Sequence, residues 1–122
     1  LIFTGYVHDS DVLAALYHHC YVYVHGHEFG GTNPTMIKAM AYGCAILALN
    51  TVFNKEMLNN DLHGIYFEKN QRAVQQQINY VDQHTNKIKE LRQTSHMGIT
   101  NKYNWDCITD KYLEVFRHLA EK

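Results

Sequence analysis

One stretch of the sequence, residues 21–49, restricts the possible folds of this chain more than any other. It begins with an apolar run of β-branched and aromatic residues, Tyr21 to Val24, and ends with a second apolar run, Cys44 to Leu49. Each run has the length and composition of a buried strand. Between the runs, apolar residues recur at helical spacing, namely Met36, Ile37, Met40 and Ala41. The stretch therefore predicts a strand, a loop, a helix and a second strand in succession.

The limits of this central helix are marked by its flanking residues. Asn33 or Thr32 can cap the amino end, and Pro34 suits the first helical position because it has no N–H group to leave unpaired. Gly43 suits the left-handed position just beyond the last turn. These signals predict a helix from Pro34 to about Tyr42.

The loop before this helix has features of an anion-binding site. Gly30 and Gly31 have no β-carbon, so a ligand can approach the backbone N–H groups closely. A helix amino terminus adds unpaired N–H groups and a partial positive charge, which favour a phosphate or diphosphate. A plain connecting loop is the alternative. The loop contains neither the Gly-Lys-Ser/Thr phosphate-binding motif nor the three-glycine dinucleotide motif.

The rest of the chain continues the alternation of strands and helices. Further strands are predicted at Leu1–Phe3 and Gly64–Phe67. Helices are predicted in five places, which are a helix capped by Asp9 or Ser10, a short helix near Asn54–Asn59, Arg72–Gln83, Lys87–Met97 and Asp106–Glu121. Such alternation indicates an α/β fold with a parallel sheet and right-handed crossovers. Ligands bind such sheets at the carboxyl ends of the strands, where the glycine loop lies.

Composition limits the classes of partner. The chain has 122 residues, enough for one domain with a core, and its formal net charge of −1 gives no basic field for nucleic acid. No apolar run reaches the length of a membrane-spanning helix, and no signal peptide is recognisable. Cys20 and Cys44 lie among apolar residues, which predicts buried free thiols in a reducing compartment.

Five motifs, in order along the chain, resemble the donor-binding segment of GT-B-fold glycosyltransferases. The closest resemblance is to the large retaining family 4, also called group 1. The motifs are Phe3–Val7, Leu13–Cys20, the Gly-Gly-Thr-Asn-Pro loop with its Ala-Met-Ala-Tyr-Gly helix, Asn54–Leu58 and Tyr103–Tyr112. The Gly-Gly-Thr-Asn-Pro variant is similar to bacterial rhamnosyltransferase-like members that build surface polysaccharide.

This resemblance implies a partial domain. Residues 1–122 would form a nucleotide-sugar-binding domain, the carboxyl-terminal half of a GT-B fold, with a Rossmann-like parallel sheet flanked by helices and a closing helix at Asp106–Lys122. The first two βα units of the family's domain would be absent, and the start at Leu1 suggests an excised segment. The first strand would then lack its neighbours, so we expect a homo-oligomer of the fragment or an altered sheet edge.

The resemblance also implies an activity. Family members transfer a sugar from a nucleotide-diphosphate donor, with retention of configuration, to a glycan or lipid-linked glycan acceptor. They use no metal or other cofactor, act in the cytoplasm, in some cases attached to the inner face of the membrane, and bind the acceptor with a separate amino-terminal domain. Because that domain is missing here, we expect this segment alone to be inactive.

The candidate donor-binding residues come from this resemblance and from the loop. They are His27, Glu28, Gly30, Gly31, Thr32, Asn33, Lys38 and Glu56. Thr32 with the Gly31 and Asn33 amides is expected to contact the diphosphate, whereas His27 and Glu28 are expected to contact the sugar or phosphate. Each side chain has an alternative as an ordinary surface residue, and Glu56 can simply orient its short helix. Catalytic residues are not assigned.

Lys38 departs from the family pattern. The family holds the donor with two glutamates, and the corresponding positions here are Gly30 and Lys38. An ammonium group only donates hydrogen bonds, whereas the family's carboxylate accepts them from the ribose hydroxyls. A phosphate contact and a solvated lysine are both open interpretations. Lys38 therefore supports a second hypothesis, a non-catalytic relative or scaffold that has lost donor contacts.

Two other interpretations are weaker. An unrelated flavodoxin-like binding or signalling domain would share the fold, but a receiver domain needs an acidic cluster after its first strand, and none is present. The chain has nine histidines, yet their spacing does not match a metal site. We therefore expect no metal.

Overall fold

A three-stranded parallel sheet forms the centre of the molecule. The computed structural model describes residues 2–100 and 102–121. The strands are β1 (Tyr23–His25), β2 (Ile46–Leu49) and β3 (Gly64–Phe67), in the order β1-β2-β3. Val24 pairs with Leu47, and Leu47 pairs with Ile65, so β2 is the central strand. The predicted α/β class and parallel sheet are confirmed.

Helices cover both faces of this sheet. Every residue of β2 is buried, as expected for a parallel strand covered on both faces. Its side chains alternate between two apolar clusters. One cluster contains Met36, Ala39, Met40, Cys44, Ile46, Ala48, Met57 and Leu58. The other contains Ala45, Leu47, Leu49, Phe67, Val81, Ile88 and Leu91. The period-two alternation along β2 thus produces one core on each side of the sheet.

The helix order follows the expected alternation. The helices before β3 are α1 (Ser10–His19), α2 (Pro34–Ala41), α3 (Val52–Met57) and a 3-10 turn (Asn60–Leu62). Those after β3 are α4 (Gln71–Gln83), α5 (Thr85–Thr94), α6 (Met97–Thr100) and α7 (Trp105–Ala120). The predicted helix Lys87–Met97 is wrong at its end, because α5 stops at Thr94 and α6 begins at Met97. Gly98 lies where a β-carbon would come within 2.8 Å of both His63 and Met40, so this segment packs tightly beneath the sheet.

The predicted strand Leu1–Phe3 is wrong where it can be judged. Leu1 lies outside the described residues, and Ile2 and Phe3 form no strand and are 92% and 90% exposed. A strand requires a hydrogen-bonding neighbour, and within residues 2–100 and 102–121 β1 pairs only with β2. Of the two expected consequences of missing neighbours, the structure shows the altered sheet edge, since β1 is now the edge strand. The homo-oligomer stays a prediction.

The last helix, α7, is only loosely attached to the domain. It occupies most of the predicted closing segment, and Lys122 lies outside the described residues. None of its residues is buried, and six large apolar side chains on it are exposed, namely Trp105, Tyr112, Leu113, Val115, Phe116 and Leu119. No helix within residues 2–100 and 102–121 is long and apolar enough to cross a membrane.

Candidate functional site

The carboxyl ends of the three strands meet at one edge of the sheet. The loop 26–33 follows β1, Asn50 follows β2, and Glu68 and Lys69 follow β3. Because all the strands are parallel, these residues are neighbours in space although they are distant in sequence. This is the edge at which open α/β sheets bind ligands.

Two polar contacts connect these segments. The Lys69 Nζ lies 2.5 Å from the Glu28 Oε2, which joins the loop 26–33 to the end of β3. The Asn50 side chain donates a hydrogen bond of 2.5 Å to the Glu68 Oε1, which joins the ends of β2 and β3. The edge is therefore a connected polar surface.

Asn54 on α3 anchors the loop from below. Its side chain is 3% exposed, and its Nδ2 donates to the carbonyl oxygens of His27 at 3.2 Å and Leu49 at 2.9 Å. Both hydrogens of the amide are therefore used. One buried side chain thus fixes the start of the loop against the end of β2.

The glycines of the loop have different roles. Gly30 has φ +103°, a conformation that L side chains rarely adopt, and a β-carbon there would lie 3.5 Å from the His27 Nε2. Gly31 is in open space, since a β-carbon would meet nothing within 4 Å. The N–H groups of Gly31 and Thr32 have no hydrogen-bond partner among the described residues. Thr32 is also exposed. These two amides are available to a ligand.

The amino end of α2 supplies fewer donors than the sequence suggested. The predicted cap is confirmed, because the Asn33 Oδ1 accepts from the N–H groups of Thr35 at 3.0 Å and Met36 at 3.3 Å. The Asn33 N–H itself points at the Met57 Sδ, 3.3 Å away. Since Pro34 has no N–H group, the first turn keeps its dipole but has no free donor there. Anion contacts must come from the loop before the helix.

His25, at the end of β1, is a buried polar group beneath the loop. It is 4% exposed, and its Nε2 has no hydrogen-bond partner. Burial lowers the pKa of His25 below its usual value of 6.5, and the nearby His27 lowers it further. The ring centroids of the two histidines are 6.0 Å apart. His25 is therefore neutral at pH 7.

A comparison with known families agrees with this geometry. The family model described as "Glycosyl transferases group 1" matches residues 1–83 of the 122-residue chain. The match includes all three strands and the loop 26–33. The chain belongs to the group 1 glycosyl transferases. No curated protein and no solved structure matches it.

Lys38 lies on the outer side of α2. The buried residues of the helix are Met36, Ala39 and Met40, whereas Lys38 is exposed. Its ammonium group makes no ion pair with any described residue. The Lys38 side chain is thus free to interact with a ligand or with solvent.

Glu56 is the candidate residue that lies on α3 rather than in the loop 26–33 or on α2. Its carboxylate lies 3.4 Å from the Lys102 Nζ. It lines a cleft of about 250 Å³ beside His63, the residue before β3. Met57 also lines this cleft, and its Sδ lies 3.3 Å from the Asn33 N, so the cleft reaches α3 close to the end of the loop 26–33. The other candidates, His27, Glu28, Gly30, Gly31, Thr32, Asn33 and Lys38, belong to that loop or to the helix it begins.

Sequence reasoning missed four residues at the edge: Asn50, Asn54, Glu68 and Lys69. Three of them immediately follow a correctly predicted strand, so the rule that ligands bind at carboxyl ends could have identified them. Among the described residues, no group of three or more His, Cys, Asp or Glu side chains could hold a metal ion.

Proposed function

We propose that this chain is the donor domain of a retaining glycosyltransferase and binds a nucleotide-diphosphate sugar. The observation that carries the proposal is the loop 26–33, which is anchored at the carboxyl edge with the Gly31 and Thr32 amides unpaired. Family membership supplies the reaction class. The loop supplies the surface on which the donor would lie.

The diphosphate would bind where hydrogen-bond donors and positive charge lie close together. The Gly31 and Thr32 amides, the Thr32 hydroxyl and the dipole of α2 all favour an anion. Lys69 contributes an ammonium group that is already drawn to this edge by Glu28. As the bond to the sugar breaks, these groups would stabilise the negative charge on the leaving diphosphate.

The sugar would contact His27 and Glu28. The Glu28 carboxylate has two oxygens, and Lys69 contacts only Oε2. The other oxygen can accept a hydrogen bond from a sugar hydroxyl. The Gly-Gly-Thr-Asn-Pro variant supports a deoxyhexose such as rhamnose as the sugar and surface polysaccharide of a bacterium as the product.

The acceptor would bind elsewhere. The described residues hold one sheet with one ligand-binding edge, so we propose that a separate domain presents a glycan or lipid-linked glycan. Transfer would take place in the cytoplasm, with peripheral attachment to the inner face of the membrane when the acceptor carries a lipid. The segment alone would bind the donor without transferring the sugar.

One observation favours a second candidate function. Lys38 stands where the family's ribose-binding glutamate would be, and it is exposed and makes no ion pair with any described residue. A relative that keeps the fold but has lost donor affinity would show this substitution. The two candidates differ in one measurable property, the affinity for a nucleotide.

Calorimetric titration of the full chain with UDP and dTDP, each with and without a sugar, tests the proposal. Micromolar to millimolar binding, about 4–8 kcal/mol, is expected. Gly31→Ala should weaken it at least tenfold, because the new methyl group would occupy ligand space without disturbing the fold. Gly26→Ala is the matched control, since a β-carbon there also meets nothing within 4 Å.

The other outcomes separate the candidates. Binding that appears only in Lys38→Glu would identify a degenerate transferase. Absence of binding in both the wild type and Lys38→Glu would overturn the donor-site assignment and leave only the fold.

A further inference from the structure

Two cysteines face each other at the amino edge of the sheet. The Cys20 and Cys44 sulfur atoms are 3.4 Å apart, and both cysteines are free thiols. Cys20 ends α1, and Cys44 follows Gly43 just before β2. The carbonyl oxygen of Tyr17 lies 3.2 Å from the Cys20 sulfur and 3.0 Å from the Cys44 sulfur. One backbone acceptor therefore holds both thiols side by side.

The two thiols differ in their access to solvent. Cys44 is fully buried, whereas Cys20 is half-buried and lines a surface groove of about 450 Å³ on α1. Burial raises the pKa of the Cys44 thiol to about 12, and the hydrogen bond from Cys20 is a smaller cause in the same direction. Cys20 is therefore the thiol that a reagent from solvent reaches first.

Arg92 holds the backbone of Cys20, the residue with the accessible thiol. Its guanidinium group donates to the carbonyl oxygen of Cys20 and, at 2.7 Å, to that of His18. These bonds fasten the end of α1 to α5. The position of Cys20 relative to Cys44 is thus determined by contacts from two sides, by Arg92 and by Tyr17.

We propose that Cys20 and Cys44 are a modification site that forms a reversible disulfide when a hydroperoxide oxidises the chain. The Cys20 thiolate attacks the hydroperoxide, the O–O bond breaks, and an alcohol or water leaves as Cys20 becomes a sulfenic acid. The Cys44 sulfur then attacks the Cys20 sulfur, the S–O bond breaks, and the hydroxide leaves with the Cys44 proton as water. Two thiols lose two hydrogen atoms, and one hydroperoxide is reduced to an alcohol and water.

The bond requires a small movement. The sulfur atoms must approach from 3.4 Å to about 2.05 Å. Cys20 lies at a helix end, where a rotation of its side chain can supply much of this distance. The disulfide would close a loop that contains β1, the loop 26–33 and α2, and with them every candidate donor-binding residue of the sequence except Glu56.

Peptide mapping of the full chain after hydrogen peroxide and after dithiothreitol tests this inference. Oxidation should give a Cys20–Cys44 cross-linked peptide with a loss of two hydrogen atoms, and the reductant should reverse it. Cys107→Ser is the control, because this third cysteine lies on α7 and its loss should change nothing. Cys44→Ser should trap Cys20 as a dimedone-reactive sulfenic acid, whereas Cys20→Ser should leave Cys44 unlabelled.

The unfolding temperature gives a second readout on the wild type alone. A disulfide that closes a loop of this size should raise the midpoint by about 10 °C relative to the reduced chain. A cross-link to Cys107, a link between two chains, or irreversible sulfinic acid at Cys20 would overturn the proposal.

Discussion

The Lys69 ammonium group lies 2.5 Å from the Glu28 carboxylate, so the segment after β3 holds the loop after β1 across the end of β2. The two residues are 41 positions apart in the sequence. Lys69 is 71% exposed, so this ion pair contributes less than about 1 kcal/mol to folding. We therefore expect its importance to lie in ligand binding.

Loss of the Lys69 charge should weaken nucleotide binding. In Lys69→Ala the affinity for UDP or dTDP should fall about five- to tenfold, because a charge-assisted hydrogen bond to the diphosphate is lost. Glu28→Gln should leave the affinity for the free nucleotide equal or higher, because Lys69 is released from its carboxylate. Titration calorimetry of both variants measures this.

A surface lysine on α5 provides the control for this experiment. Lys89 is exposed and makes no ion pair with any described residue, so Lys89→Ala should bind nucleotide as the wild type does. Equal affinity in Lys69→Ala and Lys89→Ala would show that Lys69 has no contact with the ligand.

Asn54 should matter for both stability and binding. Asn54→Ala removes the side-chain donor to the carbonyl oxygens of His27 and Leu49, so the free energy of unfolding should fall by about 2–4 kcal/mol. Asn54→Asp should be at least as damaging at neutral pH, because a carboxylate cannot donate to either carbonyl. Denaturant unfolding measures both effects.

The same substitution at an exposed asparagine shows whether the loss of stability in Asn54→Ala is specific to the buried position. Asn86→Ala on α5 should change stability by less than about 0.5 kcal/mol. If Asn54→Ala were equally mild, the loop 26–33 would not depend on this anchor.

Local signals in the sequence were sufficient to predict the strands and the helix at the centre of the fold. The apolar runs before and after the loop predicted β1 and β2, and Asn33, Pro34 and Gly43 marked the ends of α2 because capping depends on nearby residues. Gly43 indeed has φ +73°. Period-two alternation along β2 gave the two-sided burial that a parallel sheet requires.

Features that depend on distant residues could not be predicted in this way. The run Leu1–Phe3 resembles a strand, but no local signal shows whether a neighbouring strand exists to pair with it. The ion pair between Glu28 and Lys69 depends on the strand order. The capping of Thr35 and Met36 by Asn33 was predictable, but its consequence, the loss of free donors for an anion, requires counting every N–H group.

Substitutions of Asn33 should distinguish its role in capping α2 from its effect on nucleotide binding. Asn33→Asp keeps an acceptor for the Thr35 and Met36 N–H groups, so stability should change by less than about 0.5 kcal/mol. The added negative charge beside the diphosphate should weaken nucleotide binding about five- to tenfold. Asn33→Ala loses the cap and should cost about 1 kcal/mol.

Asn104 is the matched control for the cap. It caps α7 through the Cys107 N–H at 2.8 Å, so Asn104→Asp adds the same charge at a helix start outside the candidate site. Nucleotide affinity should not change in this variant. An affinity that is equally insensitive in Asn33→Asp would place the diphosphate away from α2.

Two buried histidines should make the fold sensitive to acid. Burial lowers the pKa of His25 and of His63 below 6.5, with a smaller effect from a second histidine in each case, and neither His25 Nε2 nor His63 Nδ1 has a hydrogen-bond partner. Below pH 6.5 the unfolded chain takes up protons that the folded chain does not. The free energy of unfolding therefore has its full value above pH 6.5. It decreases as the pH falls below 6.5, by up to about 1.4 kcal/mol per pH unit for each histidine.

Denaturant unfolding between pH 7.5 and pH 5.0 checks this expectation. His25→Leu should reduce the slope of stability against pH by up to one proton, whatever its effect on stability at pH 7.5, because a leucine cannot be protonated in either state. His118→Gln, at an exposed position on α7, is the control and should leave the slope at its wild-type value. A slope in His25→Leu that equals that of the wild type would show that His25 is protonated equally in the folded and unfolded chains, and its burial would then have no consequence for acid stability.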